Sequence, residues 1–417
     1  MKFNSVAPLI LFLTFCTLLG AKPFPTTSPE EVGLSSDQIE KLHQFVEEHV
    51  ENATYASIAT LVARDGKIAD WKVAGYQDKE NGIKLEKDTI YRIFSMTKTI
   101  TSVAVMTLWE DGKIRLNDPI SKYFPELDDM KVLVGGTFED PEFEEPKREI
   151  QIKDLLLHAS GIRYPPGNSN DRLYQFYQQA NARDSKTLDE FISRISTLPL
   201  SHQPGEKFKY GMSIDVLGAL VQKVSGVSFG EYLKSEIFDP LGMEDTSFLV
   251  PEDKLDRVIK VYTTTDGVLQ LRDNQLGSGG WVWPFEAGGA GLYSTMEDYL
   301  CFAQMLLNKG EFGGHRILGR KTVEFMLENH LAHWDDPTNE FSKTHGFGLG
   351  GFVKINHSQS YDLGSIGQFG WSGYASTRYM IDPEENMIIM IFAQHVPLDQ
   401  HRLFPTISNF YYQSIVE

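Results

Sequence analysis

Two β-rich regions stand at opposite ends of this chain with a long, mostly helical stretch between them, and that arrangement restricts the fold more than any other feature. Near the start, Ile58 to Arg64 and Ile68 to Val73 flank Asp65-Gly66, the pattern of a tight β-hairpin. Near the end, Phe347 to Val353, Ala375 to Ile381 and Met387 to Phe392 are β-rich, and Asp382-Pro383-Glu384-Glu385-Asn386 forms a turn between the last two. If strands from the two ends pair, the middle becomes an insertion into one sheet. The expected fold is α/β (α+β): an antiparallel sheet flanked by helices, with an inserted, mostly helical lobe over roughly 100–250. A junction of two lobes is where a binding site is expected.

The remaining elements follow from periodicity and caps. Residues 29–50 read as an amphipathic helix capped by Ser36, with Ile39, Leu42, Phe45 and Val46 at helical spacing. Thr89 to Phe94 is short and extended, and a largely buried helix runs from about Ser95 to Glu110, stopped by Asp111-Gly112. Another helical run, Asp215 to Val221, ends at Ser225-Gly226, and a closing helix is expected near 398–414. The acidic, proline-containing segment Thr137 to Glu149 reads as a solvated loop.

Lys2, the apolar run Ala7 to Leu19 and then Gly20-Ala21 match an export signal over 1–21, leaving 22–417 as the mature domain. An uncleaved N-terminal anchor is the alternative, and the exported protein would be periplasmic or secreted. Cys16 and Cys301 are the only cysteines, so removal of the signal leaves no intramolecular disulfide; Cys301 reads as a small buried hydrophobe. The net charge of −18 argues against nucleic acid as a partner, because phosphate binding needs a basic face. No later segment reaches membrane-spanning length. The oligomeric state is not legible.

Ser95-Met96-Thr97-Lys98 is the one Ser-x-x-Lys in the chain. Residues three apart share a helix face, so the amine can reach the hydroxyl, and a desolvated lysine can serve as a base. Alone the pattern is weak, since a helix-capping Ser and a surface Lys would look the same. Two further segments strengthen it. Tyr210 follows the Pro204-Gly205 turn and precedes a buried helix, where a nearby ammonium would stabilise its phenolate. Gly370-Trp371-Ser372-Gly373-Tyr374 offers small residues and backbone N–H groups to a substrate.

Taken with Leu155-Leu156-Leu157-His158-Ala159-Ser160-Gly161, Pro240-Leu241-Gly242-Met243 with Asp245-Thr246, and Gly288-Gly289-Ala290-Gly291-Leu292-Tyr293-Ser294-Thr295, the chain resembles the penicillin-recognising serine hydrolases. It is most similar to their class C β-lactamase-like branch, and within that to the family VIII carboxylesterases. The resemblance implies acylation of Ser95 without metal or cofactor, acid–base work shared by Lys98 and Tyr210, and an oxyanion hole from the backbone N–H groups of Ser95 and Tyr374. It implies a structural role for His158.

Two departures bear on substrate. Met212 stands where the lactamases carry Asn in Tyr-x-Asn, and Trp371-Ser372-Gly373 replaces a motif that opens with a cation. Met212, Trp371, Ser372 and Gly373 are therefore expected to contact a substrate less polar than a carboxylated lactam. A small-molecule ester is favoured, with β-lactamase or D-alanyl-D-alanine carboxypeptidase activity, or a catalytically inactive binding protein, as alternatives. Two other patterns are set aside. Gly370 to Tyr374 is one residue short of a Gly-x-Ser-x-Gly elbow, but strands rather than a helix are expected after Ser372; His330 with His333 beside carboxylates reads as a helix-end cap rather than a metal site.

Overall fold

The computed structural model describes residues 24–272 and 284–416; the expected signal at 1–21 lies outside them. The strands from the two ends do pair. We number β1 Ser57–Arg64, β2 Lys67–Asp78, β3 Ile83–Lys84, β4 His345–Phe347, β5 Phe352–Lys354, β6 Phe369–Gly373, β7 Thr377–Asp382 and β8 Met387–Phe392. They form one antiparallel sheet in the order β4-β5-β6-β7-β8-β1-β2-β3. The join between the ends is the β8–β1 pair, in which Val62 faces Ile389. β8 is buried along its whole length, which explains why its sequence is an unbroken apolar run without alternation.

The five longer helices we number α1 Ser36–Glu51, α2 Thr97–Glu110, α3 Ser213–Ser225, α4 Met296–Leu307 and α5 Leu403–Gln413. Successive strand residues point to opposite faces, and β7 shows both faces covered. Tyr379 meets Tyr299 of α4 and donates to Thr99 of α2 (2.7 Å), while Met380 accepts from Ser408 of α5. The fold is a mixed α/β one, with a large antiparallel sheet flanked by helices. Among the described residues no helix is long and apolar enough to cross a membrane.

Several local expectations are corrected. The first helix is capped by Ser35, not Ser36, and Pro29–Val32 is a separate turn ended by Gly33 at φ 69°. The helix expected from Ser95 begins at Thr97, after a 3₁₀ turn over Phe94–Met96. Phe347 to Val353 is two strands divided by a glycine turn. The acidic loop contains a hairpin, Val132–Gly136 with Pro141–Glu144. Phe138 and Phe143 of that hairpin pack on Phe176, a contact that charge composition could not announce. Cys301 is buried in α4 as expected.

Candidate active site

Ser95 sits in the 3₁₀ turn at the entrance to α2. Phe94 before it has φ 45°, a left-handed conformation that costs a non-glycine residue about 1–3 kcal/mol. The Phe94 ring is held by a buried cluster with Val261, Ala375 and Val396, which over-determines the turn. The Ser95 side chain stays half-buried, while every residue from Met96 to Met106 is buried.

Lys98 is fully buried. Its Nζ donates to Ser95 Oγ (3.1 Å), Tyr164 Oη (3.1 Å) and the Gly289 carbonyl (2.5 Å), using all three protons. It also lies 4.7 Å from the centre of the Tyr210 ring. Burial pulls its pKa down, but Tyr164, Tyr210 and Asp215 outweigh that and hold it above the usual lysine value. Desolvation alone, the cause expected from sequence to lower the Lys98 pKa, is thus outweighed, and the ammonium form is favoured. Asp215 of α3 stands behind it, its own pKa raised by burial, accepting the Gly289 N–H (2.8 Å). Gly289 must lack a side chain here, since a Cβ would fall 2.4 Å from an Asp215 carboxylate oxygen.

Tyr210 is brought to the site as expected, in different company. Its hydroxyl accepts from Trp371 Nε1 (3.3 Å), and its backbone N–H donates to Glu340 (2.8 Å), which also pairs with Lys209. His158 lies against the Tyr210 ring at 4.6 Å. Burial first, then the Lys98 charge, push the His158 pKa well below the ordinary histidine value, so it is a neutral packing residue. Ser160 bonds to Ser213 and accepts the Ile162 N–H.

Trp371, Ser372 and Gly373 lie on β6, beside the Ser95 turn. A Cβ on Gly373 would stand 2.4 Å from the Ile93 carbonyl, so this glycine permits the close approach. β5 pairs with β6 only as far as Gly370, so among the described residues Trp371–Gly373 join the sheet through β7 alone. Tyr374 follows at the strand's end, with its ring on Phe94 (5.8 Å). Met212 and Trp371 are both buried, 1% and 7% exposed. Phe341 is the open ring beside them: it is 61% exposed and touches the rings of Tyr210 and Trp371.

Tyr164, Phe341, Glu340 and Asp215 were not anticipated. Tyr164 lies three residues beyond the Leu155–Gly161 segment, but no periodicity marks it. Burial first, against Lys98, raises its pKa above the ordinary tyrosine value. The elbow reading of Gly370–Tyr374 fails because Ser372 lies within a strand that leads to another strand. His330 bonds through Nε2 to the Phe325 carbonyl (2.7 Å) at the end of the Arg320–Leu327 helix, the capping arrangement rather than a ligand's.

Comparison with known proteins bears on the fold and the family. A relative in Mycobacterium tuberculosis (strain CDC 1551 / Oshkosh), an uncharacterized protein, is 33% identical over 348 residues, 81% of this chain and 85% of its own. A Salmonella heidelberg (strain SL476) protein named "Putative D-alanyl-D-alanine carboxypeptidase" is 28% identical, covering 98% of this chain and 95% of its own. Among solved structures, "EstCE1, a hydrolase with promiscuous acyltransferase activity" superposes with TM-score 0.76 and 21% identity, over 93% of this chain and 99% of its own. Unliganded simvastatin synthase (LovD) of Aspergillus terreus gives 0.79 and 22%, over 91% and 99%. These two likenesses concern the fold. The family described as Beta-lactamase matches residues 42–407, and the chain therefore belongs to the beta-lactamase family of serine hydrolases.

Proposed function

We propose that the protein hydrolyses, or transfers the acyl group of, small to medium carboxylic esters through an acyl-Ser95 intermediate. The observation that carries this reading is Lys98 Nζ, 3.1 Å from both Ser95 Oγ and Tyr164 Oη and beneath the Tyr210 ring. Ser95 Oγ attacks the carbonyl, and its proton passes to the Lys98–tyrosine group in the fraction of molecules that has lost one proton. The same group protonates the departing alkoxide, then takes a proton from the water that releases the acid. The backbone N–H groups of Ser95 and Tyr374 would stabilise the oxyanion. This route uses no metal or cofactor, and an export signal over 1–21, as the sequence suggests, would put the substrate outside the cytoplasm.

Met212 in place of Asn and Trp371 in place of a cation weigh against a lactam. The Salmonella relative's name keeps D-alanyl-peptide hydrolysis as the second reading. The test is a fluorophosphonate label on Ser95, followed by turnover of a short-chain p-nitrophenyl ester, a chromogenic cephalosporin and a D-alanyl-D-alanine peptide in one preparation. Labelling with fastest turnover of the ester is expected. No labelling, with Ser95→Ala equal to the native protein, would make this a binding protein; faster cephalosporin or peptide turnover would reverse the order of substrates.

A further inference from the structure

Phe341 stands beside the acid–base residues, yet the acyl-transfer route above gives it no task. Its ring is mostly exposed and meets the rings of Tyr210 (5.3 Å) and Trp371 (6.0 Å) edge to face. Single apolar side chains are common on protein surfaces and need no explanation. This one differs in its footing. Buried Asn339 accepts the N–H groups of Phe341 (2.9 Å) and Ser342 (3.2 Å) through Oδ1 and donates through Nδ2 to the Gly346 carbonyl (2.9 Å). Glu340, immediately before the ring, accepts the Tyr210 N–H (2.8 Å) and pairs with Lys209. The backbone under Phe341 is thus tied to the segment that carries Tyr210, while most of the ring forgoes the stabilisation of burial. A ring fixed in this way is preorganised for an apolar ligand.

The rings of His158 (4.6 Å), Tyr164 (5.4 Å) and Trp371 (5.5 Å) also lie around that of Tyr210. His158 and Trp371 are buried, and the Tyr164 hydroxyl is engaged by Lys98. Phe341 gives this cluster its exposed face. In the proposed route the alkoxide departs towards the Lys98–tyrosine group, and a proton donor must come within about 2.6–3.2 Å of the oxygen it serves. Lys98 is fully buried, whereas Tyr210 is only half-buried. With Tyr210 Oη serving the departing oxygen, the rest of the alcohol lies against the rings around Tyr210.

We propose that Phe341 is a specificity-determining residue that binds the alcohol portion of the ester, so that the preferred substrates are esters of alcohols bearing an aromatic ring. This rests on the acyl-serine reading above and names the alcohol class that site takes.

The test uses two isomers, benzyl acetate and methyl phenylacetate, which carry the same phenyl group on opposite sides of the ester, with methyl acetate as the reference. Because kcat/KM covers every step up to departure of the alcohol, it reads both sides. The native protein should prefer benzyl acetate to methyl acetate. Phe341→Ala should cut that preference about tenfold, as loss of an aromatic pair and its buried area does. The ratio of methyl phenylacetate to methyl acetate should fall less. Phe341→Tyr keeps the ring and should keep the benzyl preference. Should the Ala variant fold poorly, Phe341→Leu, which keeps apolar bulk without a ring, takes its place and should lose most of the preference.

p-Nitrophenyl acetate is the control for the underlying reading. If it is not turned over, the ester reading falls, and this proposal falls with it. If it is turned over, the proposal alone is overturned by a native protein without a preference for benzyl acetate, or by a preference that survives removal of the ring. A larger loss with methyl phenylacetate, which would put Phe341 on the acyl side, overturns it equally, as does loss of the preference in Phe341→Tyr.

Discussion

The two sides of the site are built on different length scales. Ser95 and Lys98 stand three residues apart on one face of a helical turn, so local geometry alone brings them together. Tyr164, Gly289, Tyr210, Trp371 and Tyr374 converge from across the fold; Tyr164 is 66 residues from Lys98 and Gly289 is 191. A local pair survives wherever its helix survives. A convergent set is only as precise as the packing of every element that carries it. Substitutions in the first region should therefore act on chemistry, and those in the second on chemistry and geometry together.

The sharpest break is Ser95→Ala. Under the proposed mechanism it removes the attacking atom, and hydrolysis should fall about 10⁴-fold or more. Because that hydroxyl is half-buried and local, the urea midpoint should scarcely move; a large loss of stability would show that the turn depends on it. Next comes Lys98→Met. Activity should drop about 10³-fold, and here stability should fall too, by about 2–4 kcal/mol, because Tyr164 and the Gly289 carbonyl lose a buried charged donor. Equilibrium unfolding of the two variants side by side tests whether Lys98 belongs to both regions.

The tyrosines sharpen the comparison further. Tyr210→Phe should lower kcat/KM about 10²- to 10³-fold at every pH, as loss of a proton-transfer group does. Tyr164→Phe should act more mildly, about tenfold, with a different signature. The raised pKa of Lys98 makes its unprotonated form scarce at neutrality, so native kcat/KM should climb with pH and still be rising at about pH 9. Removing the Tyr164 acceptor destabilises the ammonium, lowers the Lys98 pKa and moves that profile towards acid. A Tyr164→Phe profile that keeps its shape would assign Tyr164 a packing role only. The raised pKa also means that Lys98 stabilises the fold at neutral pH and ceases to do so only as pH rises through its folded value.

The smallest expected effect belongs to Trp371→Phe, which keeps a ring but loses the indole N–H to Tyr210. A threefold to tenfold loss in kcat with little change in KM would mark Trp371 as a positioning residue. A change confined to KM would support the substrate-contacting role expected from sequence.

How much was legible varied with the range of the interaction. The hairpin through Asp65-Gly66 was readable because both turn residues need positive φ, and they have it, 55° and 72°. The helix stop at Gly112 and the cap at Gly226 were readable for the same reason. Phe94 was not, since nothing in its side chain announces a left-handed backbone; the cluster with Val261, Ala375 and Val396 imposes it. Met212 and Trp371 were assigned to the substrate from their positions in motifs, but the packing of Trp371 against Phe347 and Phe352 was not readable there.

By itself the sequence determined the strand-rich ends, the helical middle and the Ser95–Lys98 pair, all of which follow from spacings of a few residues. The tertiary structure decided that the Lys98 pKa is raised, that Tyr164 Oη accepts one of its hydrogen bonds, and that Trp371 Nε1 donates to Tyr210. These depend on which side chains meet in a region stripped of water. There, the balance of charge, hydrogen bonds and desolvation is set by contacts between residues far apart in the chain.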